Sequence, residues 1–218
     1  MLILGVDSTG KSASVALVKN NVVLAEKFQN SGYTHSETLA PMLKELLDEC
    51  GITADDIDLV AVTAGPGSFT GIRIGLATVK GFAFPNSTPC VLVSTLDCLA
   101  YAVADFDGIV CPVLDARRGQ VYNALFKSGV RITPDRAIAA SELAKIKGPV
   151  CLLGDGAEIC LEYLPNATLA PPELLLQRAV FAALQADIKN AAPPQQLKPS
   201  YLRLSQAERE KQEKEMST

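Results

Sequence analysis

Apolar runs and alternating stretches recur along this chain in a pattern that occurs twice. Leu2–Val6 is apolar throughout, as in a strand buried on both faces, and it ends in Asp7-Ser8-Thr9-Gly10, a turn composition. Ala13–Val18 and Val22–Leu24 read as the strands of a hairpin closed by Asn20-Asn21. The second instance starts at Ile109–Leu114 and ends in Asp115-Ala116-Arg117-Arg118-Gly119. It continues through Val121–Phe126, a Ser128-Gly129 turn and Val130–Ile132. In both, the turn begins thirteen residues after the strand-ending aspartate. Each unit is a strand, an acidic turn and a hairpin.

The segments that follow also match in kind. Leu39, Met42, Leu43, Leu46, Leu47 and Cys50 recur at helical spacing, and Gly51 supplies a stop. Thr34 and Glu37 suit a capping box, and Pro41 predicts a kinked first turn or a later start. A buried strand, Leu59–Thr63, and a helix, Thr70–Phe84, come next. The second unit offers shorter pieces: Ser141–Ile146, then Val150–Leu153 running into Gly154-Asp155-Gly156, then Ala157–Leu164. Alternating strands and helices predict an α/β fold of two related halves, 1–104 and a reduced 105–205, meeting near Asp97–Asp107. Helix Glu173–Ala186 is expected to close the second half. Ala191–Gln196 reads as a linker, Lys198–Arg203 as ordered chain, and 206–218 as a charged tail, either a solvated helix or disordered.

Three motifs bear on chemistry. Gly5-Val6-Asp7-Ser8-Thr9-Gly10-Lys11-Ser12 is a literal phosphate-loop match. A true phosphate loop needs a helix at its Lys-Ser, whereas a strand pattern follows here and the second unit carries Arg117-Arg118-Gly119 instead; the match reads as an accident. Two hairpins behind aspartates resemble the phosphate clasp of the actin, Hsp70 and sugar-kinase superfamily, in which Asp7 and Asp115 would hold Mg²⁺–ATP. The plainer alternative, which we prefer, is a pair of turn-capping aspartates. Thr63–Gly81 is the most specific stretch. Gly65, Gly67 and Ser68 turn a strand into a helix, and amides at that start, with Arg73, suit an anion. The alternative is a tight turn that lets the helix pack closely. Gly71, Gly75 and Gly81 each cost this helix about 1 kcal/mol relative to Ala, so another backbone is expected close by. Ile72, Leu76, Val79, Phe82 and Phe84 offer surplus apolar surface, which reads as an interface, internal or with a partner.

Composition narrows the functions. The chain has 218 residues, 48% hydrophobic, and a net charge of −4. A basic excess and a basic cluster with stacking aromatics are both missing from the sequence, which argues against RNA binding by this chain alone. A single histidine excludes two-histidine zinc motifs, and no metal site is expected. It also leaves His35 as the only base for a peptidase-like dyad, with nothing nearby that marks a nucleophile. Six scattered cysteines without a C-x-x-C pair read as small core hydrophobes. Met1–Val6 lacks a positive flank, and the longest charge-free stretch, Gly81–Leu96, contains Pro85 and Pro89. Neither a signal peptide nor a membrane span is expected, and the cytoplasm is.

Taken in order, Leu2–Thr9 with Ser14–Leu17, His35-Ser36-Glu37, Ala64–Gly81, Leu114–Arg117 with Val121-Tyr122, Gly154-Asp155-Gly156 and Pro199–Arg203 closely resemble the TsaB (YeaZ) family. The resemblance spans nearly the whole chain. It implies the actin-like (Hsp70-like ATPase) fold of two duplicated ribonuclease-H-like lobes. It also implies a subunit without catalytic residues in tRNA threonylcarbamoyladenosine formation, pairing with a larger TsaD-like paralogue that holds the histidine metal site. A TsaE-like ATPase joins them, tRNA is met only through the complex, and the chain alone forms homodimers. The implied pairing surface lies on two helices, through His35, Leu39, Met42, Leu43, Leu46, Ile72, Gly75, Leu76, Val79 and Phe82. Asp7, Gly65, Gly67, Ser68 and Asp115 mark a degenerate phosphate site, expected to hold no cofactor tightly and ATP or ADP with Mg²⁺ weakly. Lys11 and Ser12 depart from the family pattern. A phosphotransferase using Asp7 and Asp115, or a glycoprotease-like peptidase, are the alternatives.

Overall fold

A computed structural model describes residues 1–32 and 34–203; the tail expected at 206–218 lies outside the described residues. The first sheet comprises β1 (Leu2–Asp7), β2 (Ala13–Lys19), β3 (Val22–Gln29), β4 (Leu59–Thr63) and β5 (Cys90–Val93), in the order β3-β2-β1-β4-β5. The first three are antiparallel, and β4 and β5 run parallel to β1. Asn20 and Asn21, at φ 50° and 65°, make the left-handed hairpin turn that their short polar side chains tolerate. β1 is buried throughout because it is the central strand.

Two helices cover one face of this sheet. α1 (His35–Cys50) buries Leu39, Met42, Leu43, Leu46 and Leu47, while α2 (Phe69–Ala83) buries Ile72, Leu76 and Val79. Both pack on Val15, Leu17, Val60 and Val62 from the strands. α1 ends as expected, with Gly51 at φ 63° donating its amide to Asp48. Its start differs. Thr34 makes no side-chain cap; instead the Glu37 amide bonds the Thr34 carbonyl at 3.0 Å, and the helix continues unbroken through Pro41.

α3 (Thr95–Ala102) passes to the second lobe, where Leu96, Leu99 and Ala100 join its core. That lobe holds β6 (Ile109–Asp115), β7 (Gln120–Asn123), β8 (Phe126–Lys127), β9 (Val130–Arg131), β10 (Arg136–Ala139), β11 (Val150–Leu153) and β12 (Thr168–Leu169). The order β10-β7-β6-β11-β12 repeats the first sheet: a central strand ending in aspartate, antiparallel strands on one side and parallel strands on the other. The predicted hairpin at Ser128-Gly129 is present, but only as the small β8–β9 pair. The strand breaks after Asn123, whose buried Nδ2 donates to the carbonyls of Pro112 and Ala124, and β10 takes the outer position. The helices expected at 141–146 and 157–164 shrink to 3₁₀ turns at Ala140–Lys145 and to α4 (Ala157–Cys160).

The largest departure concerns the expected helix Glu173–Ala186. Only α5 (Ala179–Leu184) forms, and it packs on the first sheet, on the face opposite α1 and α2. Gly5 explains the docking. A Cβ there would lie 2.3 Å from the Ala179 carbonyl oxygen, so only glycine lets α5 come this close to β1. Ser14 Oγ accepts the Ala179 amide at 2.8 Å, and Arg178 pairs with Glu26. Leu197 also returns to the first core. Ala179–Leu184 and Leu197, which follow the expected boundary at 104/105, thus pack in the first lobe. No helix among the described residues is long and apolar enough to cross a membrane.

Candidate functional site

A cavity of about 430 Å³ opens between the lobes, where the two aspartate-bearing strands point. One wall is the β1–β2 turn (Thr9, Gly10, Lys11) with the start of α2 (Gly67, Ser68, Phe69, Ile72). The facing wall is the β6–β7 turn (Asp115, Ala116, Arg117) with Tyr122 and Asp155, and Ser200–Arg203 run across the rim.

The β1–β2 turn carries the phosphate-loop match; its Ser8, Thr9, Gly10 and Ser12 are engaged in packing, while Lys11 is exposed on the cleft. Its carbonyl oxygens face outward into neighbouring elements. Thr9 O accepts the Ser68 amide at 2.7 Å, and Gly10 O accepts from His35 Nε2 at 2.9 Å. Ser8 Oγ donates to Gly71 O at 2.9 Å, and Ser12 Oγ to Gln177 O at 3.2 Å. A phosphate cradle turns amides toward its ligand; this turn gives its oxygens to the start of α2. A strand, not a helix, follows Lys11-Ser12, as the alternation predicted.

The glycine-rich loop receives that turn. Gly67 leaves room for Thr9 O, which a Cβ would meet at 2.3 Å, and Gly65 does the same for Ser200 O at 2.5 Å. Ser68 caps α2 by accepting the Gly71 amide at 3.2 Å. Gly71 and Gly75 bring α2 against Ser8, whose carbonyl oxygen and Oγ would lie 2.1 and 2.6 Å from their added Cβ atoms. The backbone predicted to approach this helix is therefore the chain's own turn; beside Gly81 there is open space.

Asp7 and Asp115 sit at matching strand ends but in unlike surroundings. Asp7 is fully buried, and its carboxylate accepts the Thr9 amide at 3.0 Å and the Thr9 hydroxyl at 3.2 Å. Burial pushes its pKa above the usual carboxylate range, against the opposing pull of those hydrogen bonds. Asp115 lines the cleft, where it accepts the Arg117 amide at 2.7 Å and pairs with the Arg117 guanidinium at 3.1 Å. Asp155 accepts the Asp115 amide at 3.0 Å; burial raises its pKa, and Lys11 opposes the rise. Magnesium is held through hard, accessible carboxylate oxygens. A sealed Asp7 and an Arg-paired Asp115 do not fit a metal–nucleotide held through both.

The other candidate bases and nucleophiles are equally committed. A carbonyl only accepts, so His35 Nε2 carries the proton that Gly10 O receives. Burial raises the thiols of Cys90 and Cys160 to about 11 and Cys111 to about 12, so they remain protonated hydrophobes. Among the described residues, no cluster of metal-ligating side chains occurs.

The predicted pairing surface needs correction. Leu39, Met42, Leu43, Leu46, Ile72, Gly75, Leu76 and Val79 are buried within the chain's own first core. Phe82 is half-buried against that core, and His35 is half-buried beside Gly10. Of the surplus apolar surface, Ile72, Leu76 and Val79 cover the sheet, whereas Phe84, at the C-terminal end of α2, stays exposed. What these helices turn outward includes Ala40 and Pro41 among the charged residues Glu37, Lys44, Glu45, Asp48 and Glu49 on α1, and Thr70, Arg73, Ala77 and Gly81 on α2. Residues that sequence reasoning missed come from the far wall and the rim: Arg117, Tyr122, Asp155, Tyr201 and Arg203. The runs Asp115–Gly119 and Pro199–Arg203 marked these segments, but nothing in the sequence said that they face one another.

A family model described as "TsaD: tRNA N6-adenosine threonylcarbamoyltransferase" matches residues 23–192. The tRNA threonylcarbamoyladenosine biosynthesis protein TsaB of Bacillus subtilis is 32% identical over 95% of this chain and 96% of its own length. The solved YeaZ of Pseudomonas aeruginosa superposes with a TM-score of 0.76 at 25% identity, covering 92% of this chain and 99% of that one. Component A of the Acidaminococcus fermentans (R)-2-hydroxyglutaryl-CoA dehydratase, at 12% identity over 87% of this chain and 98% of its own, has a TM-score of 0.53 and shares the fold alone. The fold is accordingly the actin-like one, two ribonuclease-H-like lobes with the second reduced. With near-complete coverage in both directions, the chain belongs to the TsaB (YeaZ) family, whose members take part in tRNA threonylcarbamoyladenosine biosynthesis.

Proposed function

We propose that this chain is the non-catalytic pairing subunit of the assembly that makes tRNA N6-threonylcarbamoyladenosine. It pairs in the cytoplasm with a TsaD-like paralogue that carries the chemistry, is joined by a TsaE-like ATPase, and forms a homodimer when alone. The observation that carries this reading is Asp7: the carboxylate that an actin-like phosphotransferase needs at the end of β1 is sealed under its own turn. His35 is spent on Gly10 O, which weighs likewise against a peptidase. No cofactor is held tightly in this reading. ATP or ADP binds weakly, through the cations of the cleft and without a magnesium bridge between Asp7 and Asp115.

Pairing falls to the outward faces of α1 and α2. Ala77 and Gly81, four residues apart and exposed, let another helix approach closely. Ala77→Glu is expected to abolish association with the TsaD-like paralogue in analytical ultracentrifugation while circular dichroism stays unchanged. An undiminished complex with Ala77→Glu would place the interface elsewhere. Tight Mg²⁺–ATP binding by calorimetry, lost in Asp7→Ala, would restore the phosphotransferase.

A further inference from the structure

The chain as a whole is acidic, at −4, yet its cleft is not. Lys11, Arg117 and Arg203 line it against Asp115 and Asp155, and Asp115 is already paired with Arg117. Arg118 follows Arg117 on the same exposed turn, where both hold positive φ, 64° and 57°. On the wall that carries Lys11, the Phe69 ring stacks with that of Tyr201 from the rim, centroids 4.6 Å apart. The Arg73 guanidinium lies 3.9 Å over Phe69, with its Nε donating to the Tyr201 hydroxyl at 2.8 Å. The sequence scatters these groups across nearly two hundred positions, so no basic run and no aromatic interleaving is visible in it. Folding gathers them around one opening.

We propose that the rim of this cleft is an RNA-binding surface, with Lys11, Arg117, Arg118 and Arg203 taking backbone phosphates and the Phe69–Tyr201–Arg73 stack taking an unpaired base. A concave groove with cations on both walls beside a flat aromatic face is an arrangement that suits single-stranded nucleic acid. Each base stacked on an aromatic contributes about 1–3 kcal/mol, and Arg adds its planar charge. An acidic polypeptide would use the cations but has no call on the stacked rings. The inference rests on the family reading, in which the assembly acts on tRNA, and assigns this chain a direct part in holding it.

Fluorescence anisotropy of the full chain with an unmodified tRNA transcript, across a salt series from about 50 mM, tests this. Wild-type chain is expected to bind. Lys11→Glu/Arg203→Glu should weaken binding at least tenfold and lower the log–log salt slope by about 1.4, at ~0.7 per lost single-strand phosphate. Tyr201→Leu should weaken it several-fold with the slope unchanged, and Lys145→Glu/Lys189→Glu, equal in charge but remote, should change little. Thermal melts confirm that each variant folds. No binding by the wild type would overturn the proposal, as would equal losses in the remote control or displacement by polyglutamate as effective as by unlabelled RNA. ATP displacing the labelled RNA more effectively, mole for mole, than unlabelled tRNA would also overturn it, since the cleft would then be a nucleotide pocket. Association with the TsaD-like paralogue is measured on the same variants: if pairing persists while RNA binding is unaffected, this inference alone fails, whereas lost pairing in wild type would sink the functional reading.

Discussion

Gly71 and Gly81 look alike in the sequence and differ in what surrounds them. A Cβ on Gly71 would meet the Ser8 carbonyl oxygen at 2.1 Å, and backbone cannot swing aside as a side chain can. Gly71→Ala is expected to destabilise by about 3 kcal/mol, at the upper end of overpacking costs. Gly81→Ala meets nothing and should stabilise by ~0.5–1 kcal/mol. Chemical denaturation of the two variants checks both signs. Asp7 gives a pH signature. It loses its proton near pH 3.8 in the unfolded chain but retains it to higher pH when buried. Between those values the folded state binds the extra proton, so stability falls as pH rises, and above them the cost of the buried charge is fully present. Asp7→Asn keeps an oxygen for the Thr9 amide and removes that cost. Its melting temperature should exceed the wild type's at about pH 8, with the gap closing toward about pH 4; parallel profiles would show that Asp7 ionises at the same pH in the folded and the unfolded chain.

At the scale of elements, what the sequence made legible follows from local physics. The central strands and the two long helices were readable because apolar periodicity depends only on near neighbours, and Gly51 marked its helix end through a backbone preference of its own. Periodicity says that a stripe is apolar; it does not say what covers it. That is why the buried stripes of α1 and α2 could be taken for a surface shared with another chain when β1, β2 and β4 were the cover. The same limit applies to α5. Its alanines gave a helix signal, but its place on the first sheet depends on Gly5, far away in sequence. A charge at Leu76 or Gly75 is now expected to unfold the first core, whereas Ala77→Glu should leave it intact.

For the whole molecule, the segment Ser200–Arg203 matters most. The Ser200 amide bonds Ala64 O at 2.8 Å, Tyr201 joins the Arg73–Phe69 stack, and Arg203 reaches Ala116 O at 3.4 Å on the other lobe. The strap therefore ties both walls of the cleft. Removing residues 199–218 should speed hydrogen exchange at 64–73 and at 115–117 while leaving β1 protected, as mass spectrometry can read. Unchanged exchange at those segments would mean that the lobes hold each other without it. None of this assembly was legible in the sequence, because the cleft exists only where remote turns meet.

The position of α5 has a consequence for how the protein is made. β1 leaves the ribosome well before the helix that covers one of its faces, which is synthesised more than 170 residues later. Until Ala179–Leu184 emerge, the apolar side chains of Ile3, Ala16, Val18 and Ala61 lack the helix that packs on them in the fold. The nascent first lobe thus waits with a hydrophobic flank open, a natural client for a ribosome-associated chaperone.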